Sequence, residues 1–315
     1  MSFLTSLMNS MPGAVAQGLI WGIMAIGVYL TYRILDVADL TVDGSLGTGG
    51  AVCVVLVLNG VPVGLALVAA TAAGMLAGLV TGLFHTACGI PAILAGILTQ
   101  LALYSVNLRI MGTGTGGGKA NLPISVDKYN LLVSARYVRD RVLHNPILIL
   151  VIFCLVTIAA LYWFFGTELG CALRATGANH HMARAQGINT NVATVLGLMI
   201  SNGLVALSGG LLAQYQGFSD INMGRGAIVI GLAAVIIGEV IFSRVFRNFA
   251  LKLLASIIGA IIYYIVMNFV LRLGLSTDDL KLLTALVVAA FLAIPYWKGK
   301  YFTKPAVKKG EKHHA

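Results

Sequence analysis

Three carboxylates, Asp36, Asp39 and Asp43, fall within eight residues and border a short apolar segment. Carboxylates beside short or broken apolar helices are typical of solute paths through membranes, because only there can water or a solute satisfy groups that hydrocarbon cannot. Together with Thr41 and Ser45, Asp43 could therefore line or gate such a path. A solvated loop that caps the next helix explains the same residues equally well.

A glycine-rich run, Gly112–Gly117, matches the G-x-G-x-x-G pattern of nucleotide-binding loops. Such a loop follows a strand and opens a helix, whereas this run follows an apolar segment and leads toward Pro123. It also fails as a P-loop, because Ala120 stands where Ser or Thr would bind the metal. We interpret the run as a flexible extracellular loop and expect no ATP site in this chain, so that ATP-driven work would need a partner.

The histidines form no catalytic or metal-binding set. His180 and His181 are adjacent, which directs them about 100° apart on a helix, whereas a metal pair favours positions i and i+4. His85 stands alone near the end of an apolar segment. We therefore predict no catalytic residue, no metal site and no cofactor in the chain itself.

The elements that position these residues must be membrane-spanning helices. The chain has 315 residues, of which 58 % are hydrophobic and only 10 % charged, and its mean hydropathy is +0.91. Soluble domains carry about 25 % charged residues, so the composition argues against a water-soluble enzyme, a disordered chain and a nucleic-acid-binding module. No Asp, Glu, Lys or Arg occurs between Gly44 and Leu108, which suits three spans of about 20 residues.

Glycine, proline and charged residues divide the sequence into apolar segments. These segments predict an all-α polytopic membrane protein of about eight to ten transmembrane helices. The nine candidate spans lie near residues 14–32, 44–58, 62–83, 91–108, 146–165, 192–214, 226–241, 249–271 and 281–297. We assign residues 1–298 to one transmembrane domain and residues 299–315 to a basic tail.

Lysines crowded into the last 18 residues account for much of the net charge of +10. A basic tail favours the cytoplasmic side and anionic lipid, so we place the C-terminus in the cytoplasm and expect no nucleic-acid partner. Successive connections between spans lie on alternating sides of the membrane. Counting back from the cytoplasmic C-terminus therefore puts residues 166–191 inside, residues 109–145 outside and the N-terminus outside. It also puts Glu239 near Arg244 at the inner end of the seventh span, where the two could pair.

Two short elements resemble each other and suggest an inverted repeat. The stretch Asp39–Gly44 follows the first span and the stretch Asp220–Gly224 follows the sixth, and each couples an acidic residue, an apolar–polar alternation and a glycine. Alternation puts the first at the inner end of its span and the second at the outer end, as an inverted repeat requires. Chance explains so few matching positions equally well.

The cytoplasmic segment 168–189 predicts two short helices. Gly177 can end the first, Asn179 can cap the second and Gly187 can end it. On the second helix Met182, Ala185 and Gln186 share one side at helical spacing, with Arg184 turned away. This projection is either a contact for a cytoplasmic partner or a helix that lies at the lipid interface.

At this point the sequence resembles permease subunits of bacterial ABC importers, of the branched-chain amino acid type. The resemblance extends from about residue 12 to residue 298. It is carried by Gly18–Gly47 with its Leu-Thr-Val-Asp-Gly-Ser element, by the segment Leu173–Asn189, and by the glycine-rich span that follows. The form of the Asp39–Ser45 stretch is closest to the subgroup associated with tryptophan and tyrosine uptake.

The resemblance implies that residues 179–189 are a coupling helix that docks in a groove of a separate ATPase subunit, which would hold ATP and Mg²⁺. The residues to which it gives this role are Asn179, Met182, Ala183, Arg184, Ala185, Gln186 and Gly187. It further implies an extracellular or periplasmic solute-binding protein, a second permease copy, a bacterial plasma membrane and import by alternating access. Whether the solute is an aromatic or a branched-chain amino acid, and whether the dimer is homo- or heteromeric, stay open.

Polar residues at membrane depth are candidates for the solute path, although interhelical hydrogen bonds explain them as well. We predict that the path includes Thr41, Asp43, Ser45, Gln100 and Asn202. An ion-coupled secondary transporter is the alternative function, with Glu239 or the acidic cluster as coupling carboxylates. A membrane-embedded enzyme would need a paired acid–base or metal set within the spans, and none is visible.

Overall fold

The computed structural model describes residues 3–113, 117–125, 128–129, 131–137, 145–242, 246 and 248–272, together with seven helical residues scattered between 282 and 293. The helices are α1 (Phe3–Tyr29), α2 (Val42–Leu58), α3 (Val63–Thr86), α4 (Ala92–Met111), α5 (Pro146–Phe165), α6 (Glu168–Ala178), α7 (His180–Ala185), α8 (Thr190–Gln216), α9 (Ala227–Phe242) and α10 (Phe249–Arg272). A π-helical turn, Leu30–Ile34, continues α1. The strands β1 (Asn121–Pro123) and β2 (Phe218–Asp220) and a 3₁₀ turn at Ala135–Tyr137 complete the described elements.

Six helices are long and apolar enough to cross a membrane: α1 with its π-helical turn, α3, α4, α5, α8 and α10. The apolar helices α2 and α9 have only 17 and 16 residues, roughly 25 Å of helix against a hydrocarbon core of about 30 Å. The all-α polytopic fold is therefore confirmed, and eight of the nine predicted spans coincide with helices. The ninth lies largely outside the described residues, and the tail 299–315 and Arg244 lie wholly outside them.

Helices α1 and α8 form the centre of the protein. In the apolar stretch of α1, 83 % of the residues are buried, and in that of α8, 67 %. This burial suits helices that are apolar on all sides. The hydroxyl of Ser201 donates to the Gly27 carbonyl oxygen at 2.8 Å, and that of Ser208 donates to the Ile20 carbonyl oxygen at 2.8 Å. The donor later in α8, Ser208, bonds to the carbonyl that is earlier in α1, that of Ile20. The two helices are therefore antiparallel.

Helix α3 packs closely on α8 through glycines spaced four residues apart. A Cβ at Gly74 would lie 2.4 Å from the Asn202 carbonyl oxygen, and a Cβ at Gly78 would lie 2.3 Å from that of Leu198. Backbones that approach this closely leave no room for a side chain. The small-residue face is thus a packing surface, as expected for glycines four residues apart in a membrane helix.

A two-stranded ribbon ties the connection after α4 to the end of α8. β1 and β2 pair antiparallel, with Leu122 opposite Ser219, and the Ile124 amide donates to the Gly217 carbonyl oxygen at 2.9 Å. The sequence places both connections on the same side of the membrane, in agreement with this pairing. The flexible-loop interpretation of the glycine-rich run falls partly on residues 114–116, which lie outside the described residues.

The connection between α1 and α2 enters the protein instead of staying at its surface. Asp36 adopts φ +54°, residues 36–39 belong to neither helix nor strand, and Asp39 is only 3 % exposed. The Asp43 backbone then meets Gly224, where a Cβ would lie 2.0 Å from the Asp43 carbonyl oxygen. The sequence placed the stretches 39–44 and 220–224 at opposite ends of their spans. Since α1 and α8 are antiparallel, the two stretches do follow opposite ends of the helices. Strict alternation did not predict that both then leave the surface and meet at Asp43 and Gly224.

The two stretches nevertheless share a local geometry. The Asp39 Oδ1 accepts a hydrogen bond from the Thr41 amide at 2.9 Å, and the Asp220 Oδ1 accepts one from the Asn222 amide at 2.7 Å. Each aspartate therefore forms the same turn with the residue two positions on, shortly before one of the two short helices. An inverted repeat stays a prediction, now with this shared turn in its favour.

Candidate functional site

Buried polar side chains join the start of α2 to α3 and α8. Asn202 Nδ2 donates to Asp39 Oδ2 at 2.7 Å, and Ser45 Oγ donates to Asn202 Oδ1 at 2.6 Å. The hydroxyl oxygens of Thr41 and Thr81 lie 2.7 Å apart. All five side chains are at most 3 % exposed. Such fully satisfied networks are strong in a low-dielectric interior, so this cluster fixes where α2 begins.

Asp43 caps α9 from a different helix. Its Oδ2 accepts from the Gly226 amide at 2.9 Å, and its Oδ1 accepts from the Ile228 amide at 3.0 Å. The first amides of a helix have no partner within it and carry the positive end of the helix dipole. A carboxylate is stabilised at this place, and Asp43 therefore connects the start of α2 to the start of α9.

A cavity of about 260 Å³ lies beside this cap, between α2, α4 and the segment before α9. Gln100, Tyr104 and Asn107 line it from α4, where their spacing puts them on one helix face. Asp43 and Arg225 line it from the other elements. The cavity thus combines a capped carboxylate, a guanidinium, two amides and an aromatic ring.

The structure divides the predicted path residues between these two places. Thr41, Ser45 and Asn202 lie in the buried network, whereas Asp43 and Gln100 line the cavity. Their contact with a solute stays a prediction. Of the alternative, a solvated loop that caps a helix, the capping part agrees with Asp43 at the start of α9. Solvation is wrong for Asp39, which is buried, and for Asp43, which is half-buried; of the three carboxylates only Asp36 is exposed.

Several residues of the site were not in the predicted set. Thr81 and Arg225 carried no sequence signal, since a threonine in an apolar span and an arginine in a connection are both common. Asp39 belonged to the acidic cluster, and Asn107 was an amide at membrane depth, so both could have been selected on those grounds.

Glu239 pairs with Arg33, at the π-helical end of α1. Arg33 Nε and a terminal guanidinium nitrogen donate to the two carboxylate oxygens at 2.7 Å and 2.8 Å. The expected partner Arg244 lies outside the described residues, so that pairing stays a prediction beside the observed Arg33 pair. Sequence spacing favoured the nearby arginine, whereas the fold brings together residues 206 positions apart.

The two short helices of the segment 168–189 form as predicted. Asn179 Oδ1 accepts from the amides of His181 and Met182, both at 3.0 Å, and so caps α7. Gly187 follows α7 with φ +81°, a backbone conformation that suits glycine. Asn189 Oδ1 accepts from the Val192 amide at 3.3 Å and caps α8.

Helix α7 presents the predicted face to its surroundings. Met182 is 64 % exposed, Ala185 and Gln186 are also exposed, and Ala183 is buried. Arg184 turns toward α8, where its Nε donates to the Thr190 hydroxyl at 2.8 Å. An exposed methionine beside small residues is an adaptable contact surface. The ATPase contact of these residues stays a prediction.

Helix α6 anchors this surface to the end of α1. Leu173 is 2 % exposed, and Gly177 lies directly against the carbonyl of Ile34 in the π-helical turn. Arg174 donates to the Phe165 carbonyl oxygen and lies over the Phe249 ring, 5.9 Å from its centroid. A force on α7 therefore reaches the turn that carries Arg33.

The histidines near α7 show no metal geometry. Burial lowers the pKa of His180 below its ordinary value, and the positive charge of Arg184 and the neighbouring His85 and His181 lower it further. Among the described residues no group of three or more His, Cys, Asp or Glu side chains could hold a metal ion.

Comparison with known proteins assigns the chain to a family. Residues 11–295 match the family described as "Branched-chain amino acid transport system / permease component". A tyrosine transport system permease protein of Clostridioides difficile is 41 % identical over 286 residues, which cover 91 % of each chain. An uncharacterized protein of Rickettsia prowazekii is 37 % identical, over 89 % of this chain and 96 % of its own length. A ribose import permease protein of Escherichia coli is 26 % identical, over 89 % of this chain and 83 % of its own length.

Proposed function

The chain belongs to the permease components of branched-chain amino acid transport systems, and from this premise we propose that it carries a small amino acid across a bacterial plasma membrane for an ATP-driven importer. It is a multi-pass membrane protein and a permease of the ABC importer family. The observation that carries the proposal is the exposed face of α7, built from Met182, Ala185 and Gln186 on a rigid support.

We propose an aromatic amino acid as the first solute to test, with branched-chain amino acids second. The relative at 41 % identity is named a tyrosine transport system permease, and the Asp39–Ser45 stretch has the form of the tryptophan and tyrosine subgroup. The permease itself performs no bond chemistry in this proposal. ATP and Mg²⁺ are held by separate ATPase subunits, which dock on α7.

The proposed assembly contains two permease copies, two ATPase subunits and an external binding protein that delivers the solute. The C-terminal tail and α7 lie on the cytoplasmic side, where anionic lipid and the ATPase meet them. The opposite end, which carries the ribbon of β1 and β2, receives the binding protein. Support comes from the family and from the arrangement of α6 and α7 at one end of the helices.

The direct test is reconstitution of the chain into liposomes with the ATPase and the binding protein of the same importer. We expect ATP-dependent uptake of tyrosine or another aromatic amino acid. Uptake driven by a proton or sodium gradient, without ATP or ATPase, would contradict the proposal and favour a secondary transporter. Glu239 and Asp43, the carboxylates such a transporter would use, already bind Arg33 and the α9 amides.

The docking surface is tested by Met182→Glu. Burial of a new carboxylate against the ATPase should reduce co-purification of the ATPase by about tenfold or more. Leu169→Glu is the matched control, because Leu169 is 55 % exposed on α6 and lies outside the predicted face. If both variants retain the ATPase equally, α7 is not the contact.

A further inference from the structure

The cavity beside Asp43 carries a positive charge that the described residues leave unpaired. Both Asp43 oxygens accept hydrogen bonds from the amides of α9. Arg225 lines the same cavity and is exposed, and no carboxylate of the described residues lies within ion-pair distance of its guanidinium. An anionic group that enters this cavity therefore meets a guanidinium able to bind it through two parallel hydrogen bonds.

An acceptor without a donor lies on the α4 side of the cavity. Asn107 is 2 % exposed, and its Nδ2 faces the Gly44 carbonyl oxygen at 3.5 Å. Its Oδ1 has no hydrogen-bond partner in the described part of the chain. Because a buried acceptor without a donor is costly, this oxygen favours a ligand that brings N–H groups. Gln100, about two turns earlier on the same face, adds a second amide.

Apolar surface completes the cavity. Tyr104 and Leu101 line it and are 42 % and 65 % exposed, so an apolar side chain can lie against them. The volume of about 260 Å³ is below the roughly 300–1,000 Å³ of pockets for drug-sized ligands. A single amino acid suits a space of this size.

We propose that this cavity is a transit subsite for a zwitterionic amino acid with an uncharged apolar or aromatic side chain. Arg225 binds the carboxylate, the amide oxygens of Asn107 and Gln100 accept from the ammonium group, and Tyr104 contacts the side chain. An ammonium group donates three hydrogen bonds and accepts none, which matches the open oxygen of Asn107. The subsite rests on the proposed function, since it is a station on the path of an amino acid permease.

The test compares uptake per ATP hydrolysed in the reconstituted complex of permease, ATPase and binding protein. Arg225→Gln should reduce the maximal uptake rate about tenfold or more, because a charge-assisted contact to the carboxylate is lost. Arg225→Lys should retain part of the rate. The binding-protein concentration at half-maximal uptake and the ATPase rate should not change, because neither depends on a contact in transit.

Arg109→Gln is the matched control: Arg109 is exposed at the end of α4 and is absent from the cavity lining. Tyr104→Ala is the second variant and should reduce uptake of aromatic more than of branched-chain amino acids. Unchanged uptake per ATP in both Arg225→Gln and Tyr104→Ala, or an equal loss in Arg109→Gln, would overturn the subsite. Absence of ATP-driven amino acid uptake by the unmodified complex would instead overturn the proposed function.

Discussion

Asn202 is the residue on which the buried network depends. It donates to Asp39 and accepts from Ser45, at 2.7 Å and 2.6 Å, in the middle of a helix that most hydropathy methods treat as uniform. Its side chain therefore does two things at once: it satisfies a carboxylate far from water, and it holds the start of α2 against α8.

We predict that Asn202→Leu lowers the free energy of unfolding by about 2–3 kcal/mol, because the buried Asp39 carboxylate loses one of its two donors and Ser45 loses its acceptor. Unfolding in mixed detergent micelles, followed by circular dichroism, measures this change. Asn59→Leu is the control: Asn59 is exposed after α2, and the effect there should stay within about 0.5 kcal/mol. Equal stability of the two variants would contradict the role of Asn202.

A second residue-scale prediction concerns His180. Burial lowers the pKa of its imidazole below the ordinary value. As pH falls below about 6.5, the unfolded chain takes up the proton first, so stability decreases until the pKa of the folded protein is reached. Arg184→Gln should raise the pKa of His180 part of the way, since burial, the larger cause, is unchanged. Nitrogen-15 NMR of labelled histidines in nanodiscs gives the titration; a lower pKa in the variant would exclude a charge effect.

At the scale of elements, glycine spacing and caps were readable from sequence, and the entry of the α1–α2 connection into the protein was not. The four-residue spacing of Gly74, Gly78 and Gly82 is typical of a packing face, and Asn179 and Gly187 mark the bounds of α7. The sequence around residues 36–39 contains no signal that this connection leaves the surface, because its burial depends on Asn202 and Thr81 in distant helices. The same reason explains why the pairing of Arg33 with Glu239 was not predicted.

Helix packing gives a prediction with an internal control. Gly78→Ala should lower the free energy of unfolding by about 1–3 kcal/mol, since overpacking moves backbones or side chains and its Cβ would meet the Leu198 carbonyl of α8. Gly64→Ala, in the same helix with open space around it, should be neutral or stabilising by up to about 1 kcal/mol. Thermal unfolding measures both variants. A loss at Gly64 as large as at Gly78 would show that the close contact with α8 does not cause the effect.

The cap of α9 by Asp43 is the second prediction at this scale. Asp43→Leu removes the acceptor of two helix-terminal amides and should lower the free energy of unfolding by about 1–2 kcal/mol. Asp43→Asn keeps one acceptor oxygen and should have roughly half the effect or less. Hydrogen exchange at the amides of Gly226 and Ile228 reports the cap directly. Unchanged protection in Asp43→Leu would show that the cap is not needed.

At the scale of the whole molecule, α9 connects two places that the proposed transport cycle must coordinate. One end is capped by Asp43 beside the cavity, and Glu239 near the other end pairs with Arg33. Arg33 belongs to the π-helical turn on which Gly177 of α6 rests. Movement of α7 thus has a continuous route, through packed helices and one ion pair, to the start of α2.

Arg33→Gln tests this route. The side chains of Arg33 and Glu239 are 53 % and 29 % exposed, so the pair contributes only about 0.2–1 kcal/mol to stability. We expect nearly unchanged unfolding and ATPase binding but a severalfold loss of uptake per ATP, since α9 no longer follows the end of α1. Glu239→Gln should behave alike, and the double variant should be no worse than either. Additive losses would mean that the two residues act independently.

The hydrogen bond between Asp39 and Asn202 also bears on how the protein is made. The two residues are 163 positions apart, and a ribosome adds about 5–20 residues per second, so Asp39 waits roughly 10–30 s for its donor. During that time only the nearby Thr41 amide can donate to the Asp39 carboxylate, and its second oxygen lacks the partner that it has in the folded protein. Synthesis that stops before α8 leaves the Asp39 carboxylate without this donor, so we expect such a fragment to be degraded faster than the whole chain.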